Sequence, residues 1–420
     1  MRYSIEQKII DNLLVFMLVM STGGLLFVFN RNLSYAIFFG LIFFAYLFFG
    51  KRLKKSKVNS AVLSLAVVVM LFLINYFFAI NEQSVNKYLY YIMVVTCSVL
   101  VLLFFNNSRK ENVLIDRLYF VLKLIVYHSV FNFIAYFIIG NNLSIVAIFH
   151  HECETFLNIF FYTPERNIVN VFGFEFCRNQ GLFWEPGVLQ AFLNIAFFIE
   201  AFIVKKNRLF LLIISFALIT TYSTTGLALL VIQGLIYLKE EFKHNKFLIP
   251  FIVALTIPIF LVFSVNLEDK VHGDSEASFQ KRLFDLTQPL FIAIEHPLTG
   301  IGLDIDQFQK LRKEFYFSSS TLKSLQDQIG VESKSTGTDK GSSNSIMFLL
   351  AAMGFPTAIL FIYMFFKQQI ITEKKWLIMI LMTISVISEP LLLRPFFFIF
   401  IISGFMNIFY KITSHKKQLA

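Results

Sequence analysis

Arg178-Asn179-Gln180-Gly181-Leu182-Phe183-Trp184-Glu185-Pro186-Gly187 opens a long apolar run that continues to Val204. Pro186 suits the first position of a helix, with Glu185 as its cap. A helix starting there leaves Arg178 to Trp184 as a polar lip above it. The helix N-terminus then directs its partial positive charge at the spot where Arg178 lies, a geometry that suits phosphate or diphosphate. Charge beside such a run is costly, so these residues are functional candidates. They also fit an ordinary loop, with Arg178 on lipid headgroups and Glu185 capping its own helix.

The rest of the chain explains why this run must be a membrane helix. Of 420 residues, 57% are hydrophobic and only 15% charged, and 54 are phenylalanine. Mean hydropathy is +0.68. A soluble domain carries about 25% charged residues. Apolar runs of about 20 residues recur, each long enough to span a bilayer, and without water they must be helical. The expected fold class is an all-α polytopic membrane protein, one integral membrane domain over 1–420. Candidate spans are 9–30, 34–50, 59–80, 88–105, 118–140, 182–204, 208–222, 225–239, 246–266, 344–367, 376–391 and 395–411. The first is long enough to stay as a span rather than be cleaved as a signal peptide.

Basic residues test this count of twelve. With the N-terminus inside, the inside loops hold Lys51 to Lys57, Arg109-Lys110, Lys205-Lys206 with Arg208, Lys243 with Lys246, Lys374-Lys375 and the C-terminal lysines. Short outside connections carry Arg31, Lys87 and Arg394 alone. Both termini are therefore expected inside, and two long outside loops remain, 141–181 and 267–343. The net charge of +10 is explained by these flanking residues and gives no reason to invoke nucleic acid.

The first outside loop holds His150-His151-Glu152-Cys153 and Cys177, too few ligands for a metal site. Cys153 and Cys177 can form a disulfide if the loop faces an oxidising compartment. His128 and Asn132 share a helix face and are expected to bond a neighbouring helix, and Glu200 to pair with Lys205 or Lys206. Thr220 to Gly226 is a hydroxyl-rich turn at the level of Arg178, suited to sugar, phosphate or helix capping. In the second outside loop, Phe279, Leu283, Leu286 and Leu290 recur at helical spacing, predicting an amphipathic helix on the membrane with Lys281-Arg282 at headgroup level. His296-Pro297-Leu298-Thr299-Gly300-Ile301-Gly302 follows, then a second short helix over 306–317. From Ser318 to Ser343 the chain is Ser-, Thr-, Lys- and Gly-rich, a composition that predicts mobility.

Arg178-x-x-Gly181-x-x-x-Glu185-Pro186 opening a helix resembles the O-antigen and capsular polysaccharide polymerases of the Wzy type. So do the Ser223-Thr224-Thr225-Gly226 turn, the Arg-bearing helix of a late large loop, the His296 to Gly302 stretch, and Ser342-Ser343-Asn344 before the next span. The related O-antigen ligases typically carry a histidine where this chain has Ser343-Asn344. The resemblance implies a fold like that of the membrane glycosyltransferases of the C superfamily, in the bacterial inner membrane. It implies a periplasmic reaction on an oligosaccharide repeat carried by undecaprenyl diphosphate, in lipopolysaccharide or capsule synthesis. No cofactor is implied, and a chain-length regulator is an implied partner beside membrane lipid. The implied catalytic residues are Arg178 and Arg282 on the leaving diphosphate and Glu185 as base. Gln180, Gly181, Ser223, Thr224, Lys281, His296, Gly300, Gly302, Asn344 and Arg394 are expected to bind substrate. A ligase and a flippase of lipid-linked oligosaccharide remain as alternatives, although a flippase would have shorter outside loops and two similar halves.

Overall fold

The computed structural model describes residues 5–50, 53–106, 112–148, 151–171, 173–241, 264, 276–318 and 342–418. Its helices are α1 (Ile5–Gly23), α2 (Leu25–Phe29), α3 (Arg31–Phe49), α4 (Lys55–Phe78), α5 (Val85–Asn106), α6 (Val113–Ile139), α7 (Pro164–Asn167) and α8 (Pro186–Phe198). They continue as α9 (Arg208–Thr220), α10 (Thr224–Glu241), α11 (Glu276–Glu295), α12 (Ile305–Ser318), α13 (Ser345–Phe366), α14 (Lys375–Ser388) and α15 (Pro395–Gln418). Each predicted span except 246–266 overlaps a helix. That span, the acidic patch at Glu268-Asp269 and most of the Ser-rich stretch lie outside the described residues. Among the described residues, seven helices are long and apolar enough to cross a membrane: α3, α4, α5, α6, α8 with its extension, α13 and α15. The chain is a multi-pass helical membrane protein.

Two helices organise the core. α8 runs on as a π-helical segment, Ile199–Val204, and this combined helix is almost wholly buried. It packs against α6, α9, α10 and α14, while α15 packs against α1, α4, α5 and α13. Phe192 of α8 joins the two groups, with ring centroids 5.2 Å from Phe396 and 4.9 Å from Phe183. Between helices in lipid, close packing replaces the hydrophobic effect, which suits a phenylalanine-rich interior. Glu200, inside this extension, closes its end: the carboxylate accepts the backbone N–H of Lys206 (2.9 Å) and Asn207 (2.6 Å) and the Tyr119 hydroxyl. Glu200 thus closes a turn by accepting backbone amides rather than pairing with a lysine side chain.

The first predicted span is broken. α1 stops at Gly23, and the chain around Gly24 bonds to the polar lip instead: Trp184 N–H to the Gly23 carbonyl (3.2 Å) and Leu25 N–H to Leu182 (2.9 Å). The loop 141–181 is also more ordered than its composition suggests. It forms a three-stranded antiparallel sheet, β1 (Ser144–Ile148), β2 (His151–Phe156) and β3 (Phe160–Tyr162), and a hairpin of β4 (Ile168–Val171) and β5 (Phe174–Cys177). β5 delivers the chain to Arg178. His128 and Asn132 reach this loop rather than another helix. His128 Nε2 bonds to Ile159 O (2.9 Å), and Asn132 Oδ1 accepts Phe161 N–H (3.1 Å).

α13 is broken at Gly354, where φ is 72° and ψ 168°, a region essentially reserved for glycine. The freed backbone groups are taken up by the His296 to Gly302 stretch. Ile301 and Gly302 N–H donate to the Ala351 and Ala352 carbonyls (3.0 and 2.9 Å), and Phe355 N–H donates to Pro297 O (2.8 Å). A Cβ on Gly354 would lie 2.3 Å from the Leu298 carbonyl oxygen. Gly354→Ala is therefore expected to destabilise the detergent-solubilised protein by about 3 kcal/mol in thermal unfolding. Gly40→Ala, with nothing within 4 Å, is the control and should be neutral or slightly stabilising.

Candidate functional site

Arg178 is fixed by its neighbours in sequence. Its N–H donates to Asn167 O (2.8 Å). Asn179 is buried: its N–H donates to Thr220 O (3.0 Å), and its Nδ2 donates to Ser129 O (2.8 Å) and Thr220 Oγ1 (3.0 Å). Gln180 is buried too, accepting from Thr163 Oγ1 (2.8 Å), and Gly181 sits beneath it with φ 54°. Gln180 and Gly181, expected at substrate, are instead turned inward and shape the loop.

With the loop held so, the half-buried Arg178 donates Nε–H to the Thr221 carbonyl (3.0 Å). Four residues on, Thr225 Oγ1 accepts from Arg282 Nη1 (3.4 Å), which arrives from α11. Two guanidinium groups distant in sequence therefore meet on one turn, at the N-terminus of α10. Burial draws the Arg178 guanidinium below its ordinary value. Glu185 and Glu389 oppose that shift, and Arg282 adds to it. Ser223 Oγ accepts Gly226 N–H (3.3 Å), so Ser223 is a helix cap and buried. Thr224 is half-buried beside it.

Glu185 occupies the backbone position that caps α8, but its carboxylate accepts none of that helix's amides. It is exposed and forms no ion pair with Arg178, so its carboxylate is available at the rim. The first turn of α8 meets Glu389 instead. A Cβ on Gly187 would lie only 1.8 Å from Glu389 Oε1, so glycine alone admits this carboxylate. The expectation that the α8 N-terminus faces substrate phosphate is corrected: Glu389 sits at that pole, and the two arginines gather at α10. Sequence reasoning missed Glu389, although Glu389-Pro390 is the chain's second Glu-Pro pair and lies at the end of an apolar run.

α11 does not simply lie on a membrane. Asp285, Gln288, Ile292 and Ala293 are buried and the helix packs along α13, whereas Leu286 of the expected apolar stripe is 42% exposed. Asp285 Oδ2 accepts Ser343 N–H (2.9 Å) and Oγ–H (2.6 Å), which ties α11 to the start of α13 and sets the position of Arg282. Asn344 caps α13, accepting the N–H groups of Ile346 and Met347 at 3.1 Å each, and is buried in that role. Gly300 and Gly302 are committed to the strap across α13 and against Gln83, and His296 lies just past the end of α11. The Lys281 side chain lies outside the described residues, as does His150. Arg394 stands apart from the Arg178 group, against Trp184 and Tyr90.

Cys153 and Cys177 are free thiols, both buried, so the expected disulfide is absent. Burial pushes the Cys177 thiol up to about 12. At pH 8 its thiolate is then about one part in ten thousand, and the thiolate is the reactive form. Native protein should therefore resist maleimide at Cys177 and label only after unfolding, read by mass spectrometry. Reduction should leave its gel mobility unchanged.

The site is a polar rim on a multi-pass helical membrane protein, with two arginines on one hydroxyl-lined turn and two carboxylates beside them. Residues 209–362 match the family model described as O-antigen ligase. The match runs from α9 into α13 and so includes the Thr221 to Thr225 turn and Arg282. Over these residues the chain is similar to that family. A comparison with curated proteins found no match.

Proposed function

We propose that this protein is a glycosyltransferase that polymerises lipid-linked oligosaccharide repeats at the periplasmic face of the bacterial inner membrane. The growing glycan passes from undecaprenyl diphosphate to a new lipid-linked repeat. The convergence of Arg178 and Arg282 on the Thr221 to Thr225 turn is the observation that carries this reading. The bond that breaks joins an anomeric carbon to a diphosphate oxygen, and the leaving diphosphate keeps the electron pair. Negative charge grows there in the transition state, so fixed guanidinium groups aimed at it lower the barrier. Arginine forks match phosphate oxygens better than lysine does. The new bond forms from an acceptor hydroxyl, and Glu185 takes its proton.

Ser343-Asn344 in place of a ligase-type histidine supports polymerase over ligase, and Asn344 is committed as a cap. The description of the matching family keeps ligase as the second reading. Deletion of the gene followed by gel analysis of surface polysaccharide separates them. The polymerase reading expects a ladder collapsed to one repeat. Intact but unattached polymer would make the protein a ligase, and precursor left facing the cytoplasm would make it a flippase.

A further inference from the structure

The outer connections hold a second pair of arginines that the chemistry above does not use. Arg31 opens α3 and Arg394 directly precedes α15, far apart in sequence, yet both reach the ring of Tyr90. Arg31 Cζ lies 5.4 Å from its centroid, and Arg394 Nη1 donates to its hydroxyl (3.0 Å). Arg394 also lies over the Trp184 ring at 5.6 Å. Tyr35 backs the group, its hydroxyl 3.2 Å from that of Tyr90. Lys87, the third outer cation, is neutralised by Asp306 at 3.1 Å. Neither Arg31 nor Arg394 pairs with a carboxylate among the described residues. Arg31 is exposed and Arg394 half-buried, so two positive charges are gathered on one tyrosine with donors to spare. Like charges kept together without counter-ions fit an anion that bridges them, and planar guanidinium groups on aromatic rings fit phosphate.

This pair is joined to the first by two consecutive residues. Trp184 touches Arg394, while the charge of Glu185 acts on Arg178. Trp184 is itself pinned by its N–H to the Gly23 carbonyl. We propose that Arg31 and Arg394 bind the diphosphate of the second, accepting lipid-linked substrate. Two diphosphates then lie on either side of Glu185. This assignment rests on the transferase reading, which needs two lipid-linked molecules at one rim.

Trp184 is a built-in reporter, since the chain has only one other tryptophan, the exposed Trp376. The full-length Trp376→Phe protein in zwitterionic nanodiscs is titrated with a short polyprenyl diphosphate, and separately with inorganic diphosphate and with phosphatidylglycerol. A saturable change in Trp184 emission is expected with the two diphosphates. Arg31→Gln or Arg394→Gln should weaken it at least tenfold, Arg31→Lys less, and Arg178→Gln with Arg282→Gln should leave it in place. Arg31 is exposed, so its variant remains informative if Arg394→Gln folds poorly. Emission that responds to diphosphate at the wild-type concentration in both glutamine variants overturns the proposal. So does an equal response to phosphatidylglycerol, which would make the pair a headgroup anchor. Failure of the transferase reading is separate: it would appear as normal polymer from Arg178 and Arg282 variants in cells, whatever the titration gives.

Discussion

Arg178→Ala and Arg282→Ala each lower polymer formation by about 100-fold or more, the cost of removing one fixed donor from a developing anion. Neither loss should come from unfolding. Arg178 is held through its backbone and through Asn179, and the placement of Arg282 is secured one turn later by Asp285 and Ser343. The double variant should be little worse than either single one, because both groups grip the same departing diphosphate and act as a unit. Arg178→Lys tests the geometry rather than the charge. Lysine keeps the cation but loses the planar fork, so a single nitrogen must serve both Thr221 O and the anion. It should recover only a small part of the activity. The measurement is glycan chain length on gels from complemented deletion cells, with protein level checked by blot. Normal chain lengths from either alanine variant would remove the leaving-group role, and wild-type behaviour of the lysine variant would remove the bidentate argument.

The helical plan was legible because lipid imposes it. Runs such as Lys55–Phe78 and Val85–Asn106 have no other way to satisfy their backbone. The break at Gly24 was not legible, since Ser21-Thr22-Gly23-Gly24 sits inside an apolar stretch and its partner, Leu182 to Trp184, is remote in sequence. The short strands before Arg178 were hidden too, because aromatic residues such as Phe160, Phe161 and Tyr162 follow one another without alternation. Within the site, Arg178, Glu185 and Arg282 stood out because charge is rare in this chain. Gln180, Ser223 and Asn344 stood out for a reason that misleads: the groups that cap helices and anchor loops are the same amides and hydroxyls that bind sugars. The position of Glu389 against Gly187 depends on how α8 and α14 pack, which no local pattern encodes.

The two carboxylates can be assigned by the same contrast of burial. Glu185 is exposed at the rim and its carboxylate accepts nothing from its own helix, whereas Glu389 is 5% exposed and lies against the first turn of α8. A base must reach the acceptor hydroxyl, and only the first of these is presented to an incoming sugar. Glu185→Gln keeps shape and hydrogen-bonding reach but cannot take a proton, so transfer should fall by about 100-fold or more while polyprenyl diphosphate still binds. Glu389→Gln should leave transfer within about tenfold of wild type. Its cost appears in folding, about 1–2 kcal/mol lost in thermal unfolding as the negative charge at the α8 N-terminus is removed. Transfer assayed on purified variants, alongside thermal unfolding, separates the two. If Glu389→Gln abolishes transfer and Glu185→Gln does not, the proton passes to Glu389, and the exposed carboxylate has only an electrostatic part beside Arg178.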